Sequence, residues 1–204
     1  MSEHHEIFLF NRQTSEMVEA SLVEDADLGV GVRADLAWSS MRSVSVANSP
    51  VTGSVPQHDH WEWGKKMEYV QGLLSYTTFS VECNGDVQGL MMVKTADEFA
   101  SLPTKPGLPL VYIAYLQTAP WNWGPAATQP KYRGVGSALL LAAINMSLDL
   151  EFHGRIGLHS LAQSESWYLK QGMTKLGDSA KKNGLTYFEM AEQSARQFAD
   201  GSDS

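Results

Sequence analysis

The chain has 204 residues, 43% of them hydrophobic, one cysteine and a formal net charge of −8. That length predicts one domain with a real core, and the acidic balance disfavours broad electrostatic capture of nucleic acid, which needs basic surface. No apolar run approaches the ~20 residues of a membrane span, Met1-Ser-Glu-His-His-Glu6 lacks the pattern of a signal peptide, and the lone Cys83 excludes an internal disulfide, so a cytoplasmic protein with no membrane partner is expected.

Taken in order, Glu6 to Phe10 predicts a short strand, while Ala20 to Gly31 mixes Val, Leu and acids and is left unplaced. Leu36, Ala37, Met41 and Val44 recur at helical spacing within Ala34–Val44. Ala47 to Gln57 carries Asn, Ser, Pro, Thr and Gly and predicts a loop. Asp59 is placed to cap a helix running to about Leu74. His58 and His60, with Asp59 and Glu62, look superficially like metal ligands. His-x-His suits a strand better than a helix, no third ligand is recognisable nearby, and His4-His5 is too short for a site, so no metal is expected. Trp61 and Trp63 read as core or wall residues, or as the lining of a substrate pocket.

Tyr76 to Cys83 alternates as a strand, Asn84-Gly85 signals a hairpin, and Val87 to Val93 returns. Asp97 to Pro109 is a loop with three prolines. Leu110 to Thr118 is apolar over nearly its whole length, as a central strand covered on both faces would be. After Trp121 and Trp123 comes Lys131-Tyr-Arg-Gly-Val-Gly-Ser-Ala138, which opens an apolar helix ending at Leu150. A helix start carries unpaired N–H groups and about half a positive charge. Gly134 and Gly136 let an anion approach those groups, and Lys131 and Arg133 add charge, so the stretch predicts a phosphate-bearing ligand. The third glycine of a dinucleotide fingerprint is absent, as is the Gly-Lys-Ser/Thr of a P-loop. Arg155 to His159 is a short strand. Ser160-x-x-Gln163 has the form of a capping box for a helix over Ala162–Gln171, stopped by Gly172. Thr174–Asp178 and Leu185–Met190 read as a hairpin, Ala191–Ala199 as a helix, and Asp200–Ser204 as a frayed tail.

Basic-x-x-Gly-x-Gly-x-Ala at Lys131–Ala138 resembles the acyl-CoA signature of the GNAT superfamily of N-acyltransferases, with Lys in the usual Gln or Arg place. Trp167-Tyr168-x-Lys170-x-Gly172-Met173, about thirty residues on, resembles that family's aromatic-Tyr-x-Lys-x-Gly-Phe pattern. The resemblance covers roughly Tyr76 to Met190. It implies an α/β fold of the α+β type, with a mixed, mostly antiparallel sheet flanked by helices and splayed between the Leu110–Thr118 and Arg155–His159 strands. It divides a single domain into a variable substrate-side part (1–75), an acyl-CoA core (76–190) and a C-terminal helix and tail (191–204). It implies N-acetyl transfer from acetyl-CoA to a primary amine by direct attack. Leu116, Gln117, Thr118 and Lys131, Tyr132, Arg133, Gly134, Val135, Gly136, Ser137 and Ala138 would hold acetyl-CoA, and Tyr168 would serve as general acid. The general base stays open among Glu82, named first, Glu62, His159 and a water relay. Trp61, Trp63, Trp121 and Trp123 would shape the acceptor site, the last two from an insertion over residues 121–130. The expected partners are acetyl-CoA and an amine, with a homodimer allowed. Two other readings stand beside this one: a non-catalytic acyl-CoA sensor of the same fold, and a toxin-like enzyme acting on aminoacyl-tRNA.

Overall fold

A computed structural model describes residues 2–47, 58, 60–123 and 130–201. In chain order the elements are β1 (Glu3–Asn11), β2 (Glu16–Glu24), α1 (Leu28–Ala47), α2 (Trp63–Val70), β3 (Tyr76–Cys83), β4 (Asp86–Lys94), β5 (Val111–Thr118), β6 (Tyr132–Arg133), α3 (Val135–Asp149), β7 (Ile156–Ser160), α4 (Glu165–Lys170), β8 (Thr174–Ser179), β9 (Leu185–Met190) and α5 (Glu192–Ala199). The fold is mixed α/β with a mostly antiparallel sheet. The chain forms two compact units, residues 1–91 with 116–139, and residues 92–115 with 140–204.

In the first unit the strands run β6-β1-β2-β3-β4. β1 and β2 pair antiparallel over nine positions, from Glu3↔Glu24 to Asn11↔Glu16, so the predicted strand at Glu6–Phe10 extends at both ends. The unplaced Ala20–Gly31 is the end of β2 and the start of α1. Asn84 and Gly85 both take positive φ, 54° and 81°, the conformation a two-residue hairpin turn requires. Val30, Ala34 and Trp38 recur every four residues and are buried, which sets the inward face of α1. The Trp38 indole N–H finds the Val87 carbonyl at 3.2 Å, so a large apolar side chain is buried without an orphaned donor. Trp63, Met67 and Val70 do the same for α2, and Gly31 leaves the room that Met67 and the Gly64 backbone occupy.

The start of α2 differs from the expectation. Its first residue is Trp63, and Asp59 lies outside the described residues. Asp35, on α1, instead accepts from the Trp63 and Gly64 N–H groups, each at 2.8 Å. A carboxylate there satisfies two orphan donors and complements the helix dipole. The expected loop at 48–57, the insertion's residues 124–129 and the tail's residues 202–204 also lie outside the described residues.

In the second unit the strands run β5-β7-β9-β8. β5 and β7 are parallel, and their pairing stops after three positions, Val111↔Ile156, Tyr112↔Gly157 and Ile113↔Leu158. That early stop is the expected splay. Gly157 is a strand glycine with a steric reason, since a Cβ there would lie 2.6 Å from the Tyr187 hydroxyl. The capping box is a correction. Ser160 ends β7, and its hydroxyl donates to the Leu161 carbonyl at 2.9 Å. A short 3-10 turn over Ala162–Ser164 follows, and α4 begins only at Glu165 with no side-chain cap. Gly172 does stop that helix. At φ 82° it lets its own N–H reach the Leu169 carbonyl and the Met173 N–H reach the Tyr168 carbonyl, which is a Schellman closure. α5 is anchored by Glu192, which binds the buried Arg155 and, at 2.9 Å, Lys105.

Candidate functional site

The glycine loop lies at the edge of the first unit's sheet. β6 pairs with the end of β1, Phe10↔Arg133 and Asn11↔Tyr132, and the Arg12 N–H donates to the Lys131 carbonyl at 3.0 Å. Tyr132 is buried, takes a 3.0 Å bond from Asn84 to its hydroxyl, and donates its N–H to Asn122 Oδ1 at 3.0 Å. Asn122 and Trp121 in turn donate to Gln88, whose own amide nitrogen bonds the Cys83 carbonyl. The loop is thereby tied to β1, to β4 and to the turn between β3 and β4.

Gly134 takes φ 99°, a conformation L side chains rarely adopt. The Ala138 N–H to Gly134 carbonyl bond, 2.8 Å, closes the first turn of α3. The N–H groups of the residues between them have no intrahelical partner, as at any helix start. No acidic residue stands in that turn, Gly134 and Arg133 are exposed, and Gly136, Ser137 and Ala138 are partly exposed. Unpaired helix-start donors, a positive dipole end, the adjoining Arg133 guanidinium and no carboxylate in that turn fit a diphosphate. Gly89 of β4 is a residue the sequence did not flag. A Cβ there would meet Val135 at 2.7 Å and Leu139 at 3.1 Å, so glycine sets how closely this first turn approaches the strand. The signal available was a glycine inside a strand.

The four tryptophans divide. Trp61, Trp63 and Trp123 gather with His58: Trp123 lies edge-on to His58 at 5.0 Å, Trp61 is 5.7 Å from it, and Trp61 and Trp63 are 6.4 Å apart. Trp121 is engaged with Gln88 instead. The Trp63 indole N–H donates to Gln117 Oε1 at 2.7 Å, which fixes the amide's orientation, and Trp123 donates to the Thr118 carbonyl at 3.1 Å. Lys66 Nζ lies 5.1 Å from the centre of the Trp61 ring, so a cation already uses that face. The candidate bases Glu82 and Glu62 are both engaged. Glu82 accepts from Arg33 at 3.2 Å and Ser80 at 3.1 Å, and Glu62 pairs with Lys65 at 2.6 Å. Across β1 and β2, ligand atoms of Glu3, His5 and Glu24 lie within 4.8 Å of one another, where the sequence suggested no metal geometry.

The second unit holds Tyr168 and His159. Tyr168, on α4, is 7% exposed, with its ring 6.0 Å from Phe188 and 5.0 Å from Trp167. Burial pushes its phenol well above the ordinary value, so the proton stays on at any physiological pH. His159, at the end of β7, shares a 2.9 Å hydrogen bond between Nδ1 and the Tyr112 hydroxyl, and its ring lies 4.7 Å from that of Tyr187. Burial chiefly, and the Lys182 charge secondarily, lower its pKa, against a weaker pull from Glu98. Sequence reasoning did not connect Tyr112, Tyr187 and His159, because strand pairing joins them across 28 to 75 positions of chain.

No known family model matches the chain, and no curated protein does. Solved structures do. A proposed acetyltransferase superposes with a TM-score of 0.57 at 11% identity, covering 89% of this chain and 90% of its own. The PaiA N-acetyltransferase of Thermoplasma acidophilum, solved with coenzyme A, gives 0.50 at 12%, covering 83% and 98%. A bacterial toxin gives 0.51 at 12%, covering 68% and 79%. At such identities the likeness is one of fold. Among the described residues no helix is long and apolar enough to cross a membrane.

Proposed function

We propose, on the premise that the chain has the fold of the GNAT N-acyltransferases, that it transfers an acetyl group from acetyl-CoA to a primary amine. The observation that carries this is the start of α3, an exposed helix N-terminus free of acids, entered through a glycine at φ 99° beside Arg133. In this reading the amides of Gly134 to Ala138, with Lys131 and Arg133, hold the diphosphate, and the backbone of Leu116, Gln117 and Thr118 holds the pantetheine arm. Tyr132 supports the loop from beneath. Trp61, Trp63 and Trp123 belong to the acceptor side, whereas Trp121, expected with them, braces the loop through Gln88.

The chemistry asks three things of the chain. Holding both substrates supplies much of the rate. The amine, with a free pKa of about 10, must lose a proton before it attacks. The departing thiolate, of pKa about 8.5, needs charge stabilised. Tyr168 carries a proton to offer, but a buried phenol is a weaker acid than the thiol it would form. Its contribution is therefore a hydrogen bond placed where the sulfur charge grows, completed as CoA leaves. Acetyl-CoA and an amine are the proposed partners, and the cytoplasm the proposed location.

Calorimetric titration of acetyl-CoA tests the reading. Gly134 is a poor place for a variant, since any side chain at φ 99° strains the backbone. The exposed Arg133 is better, and Arg133→Glu should weaken binding by roughly 30-fold, about 2 kcal/mol, without unfolding. A folded wild type that binds no acetyl-CoA would overturn the proposal. A panel of amines then separates a transferase from an acyl-CoA sensor.

A further inference from the structure

We infer that His159 is the group that takes the proton from the acceptor amine, with Tyr112 as its positioning residue. This rests on the acyl-transfer reading above. Four observations lead to it. First, His159 is the residue of β7 immediately after the last pair of the β5–β7 ladder, Ile113↔Leu158, so it stands where the two strands part. Second, Nδ1 is held by the Tyr112 hydroxyl at 2.9 Å and the ring is packed against Tyr187, while Nε2 has no hydrogen-bond partner among the described residues. Third, four glutamates of the same unit are occupied. Glu189 takes the Ser101 and Leu102 N–H groups, Glu98 pairs with Lys94, Glu165 with Lys175, and Glu192 with Arg155. Glu82, the first-named candidate, is held by Arg33 and Ser80. Fourth, the groups facing the imidazole are Tyr112, Tyr187, Lys182 and Glu98, and the balance of burial and the Lys182 charge keeps it neutral, the form a base needs.

The tautomer follows from the task. For Nε2 to present a lone pair, Nδ1 must carry the hydrogen and donate it to the Tyr112 oxygen, which a hydroxyl can accept. Proton uptake at Nε2 then leaves the Nδ1–H bond to Tyr112 intact, and the ring need not turn. In the transfer, the amine nitrogen forms a bond to the acetyl carbonyl carbon and the carbon–sulfur bond breaks. The ammonium gives its first proton to Nε2 before the attack, the nitrogen, made acidic once it is bonded to carbon, sheds its second proton to solvent, and the sulfur takes a proton from Tyr168 as CoA leaves. Solvent restores the Tyr168 proton and removes the one on His159, so the net change is ammonium plus acetyl-CoA to amide, free CoA thiol and one proton.

The test uses two nucleophiles with the full-length protein and acetyl-CoA, read as thiol release. n-Butylamine is protonated at neutral pH and needs the base, whereas hydroxylamine is already unprotonated and does not. His159→Gln keeps a polar side chain that cannot take up a proton. It should lower transfer to n-butylamine by roughly 100-fold or more and to hydroxylamine by less than ~5-fold, and abolish the acid limb of the kcat/KM profile. Calorimetric binding of acetyl-CoA should stay within about twofold, since only the chemical step is touched. Tyr112→Phe, which removes only an oxygen, should lower n-butylamine transfer by ~10-fold and displace the acid limb without changing acetyl-CoA binding. Equal losses for both nucleophiles, an acid limb that survives His159→Gln, or a wild type that binds acetyl-CoA yet acetylates neither amine would each overturn the inference. Failure of the wild type to bind acetyl-CoA would instead remove the transfer reading on which it stands.

Discussion

The glycine loop and the Tyr168–His159 region hold their functional atoms by opposite means. Around the loop the working groups are backbone N–H donors, fixed by a helix start and by side chains that do not titrate, Gln88, Asn122 and Asn84. Around Tyr168 and His159 they are titratable side chains whose protonation is set by burial and by one nearby lysine. Fixed dipoles lose nothing to changes of pH and suit binding. Tuned side chains suit proton transfer, and their positions must be held by packing. Substitutions in the first region should therefore act on affinity, and those in the second on turnover or on stability.

The largest effect is expected at Tyr168. Tyr168→Phe removes one oxygen from a well-packed ring, so turnover should fall by roughly 100- to 1000-fold while acetyl-CoA binding stays within about twofold. An equal loss in both would erase the contrast between the regions. Next is Glu192→Gln, which leaves the Arg155 guanidinium, 6% exposed, without its carboxylate. A fully buried pair would cost more, but Glu192 is partly solvated, so about 2 kcal/mol of unfolding free energy should be lost in a urea titration. Gly89→Ala follows. The added methyl group must displace Val135 or Leu139, at about 1 kcal/mol of strain, and the shifted first turn should weaken acetyl-CoA binding severalfold with turnover at saturation unchanged. Smallest is the pH dependence of stability. The lowered pKa of His159 means that, as pH falls through about 6.5, the unfolded chain takes up a proton that the folded chain resists. Wild-type stability should decline there, and His159→Gln should flatten that part of the curve by at most one proton's slope, measurable by thermal melts from pH 7.5 to 5.

How far the sequence could be read follows the same division. Gly134, Gly136 and the Leu-rich helix after them are local, and so are Asn84-Gly85 and Gly172. Each needs only neighbours in sequence to dictate its conformation, and each stands where it was expected. The capping box at Ser160 looked equally local, yet the serine is drawn into β7, where pairing with Thr186 outweighs a cap. What could not be read joins distant positions. Asp35 closes α2 from 28 residues away, Gln88 reaches the loop across 33, and Tyr112 meets His159 across 47. Among acids, Glu82 carries no sequence mark that Arg33, on another element, would already occupy it.

The Asp35 carboxylate has a further consequence, for how this chain can change over time. A helix whose first amides are gripped from another helix does not depend on the residues that lead into it to decide where it begins. The connection from α1 to α2 is thus relieved of specifying the start of α2, and its residues other than His58 and Trp61 can change without moving Trp63 or its neighbours. A chain built this way can explore new residues between two fixed helices while its interior stays put, and homologues should diverge fastest along that connection as long as the aspartate remains.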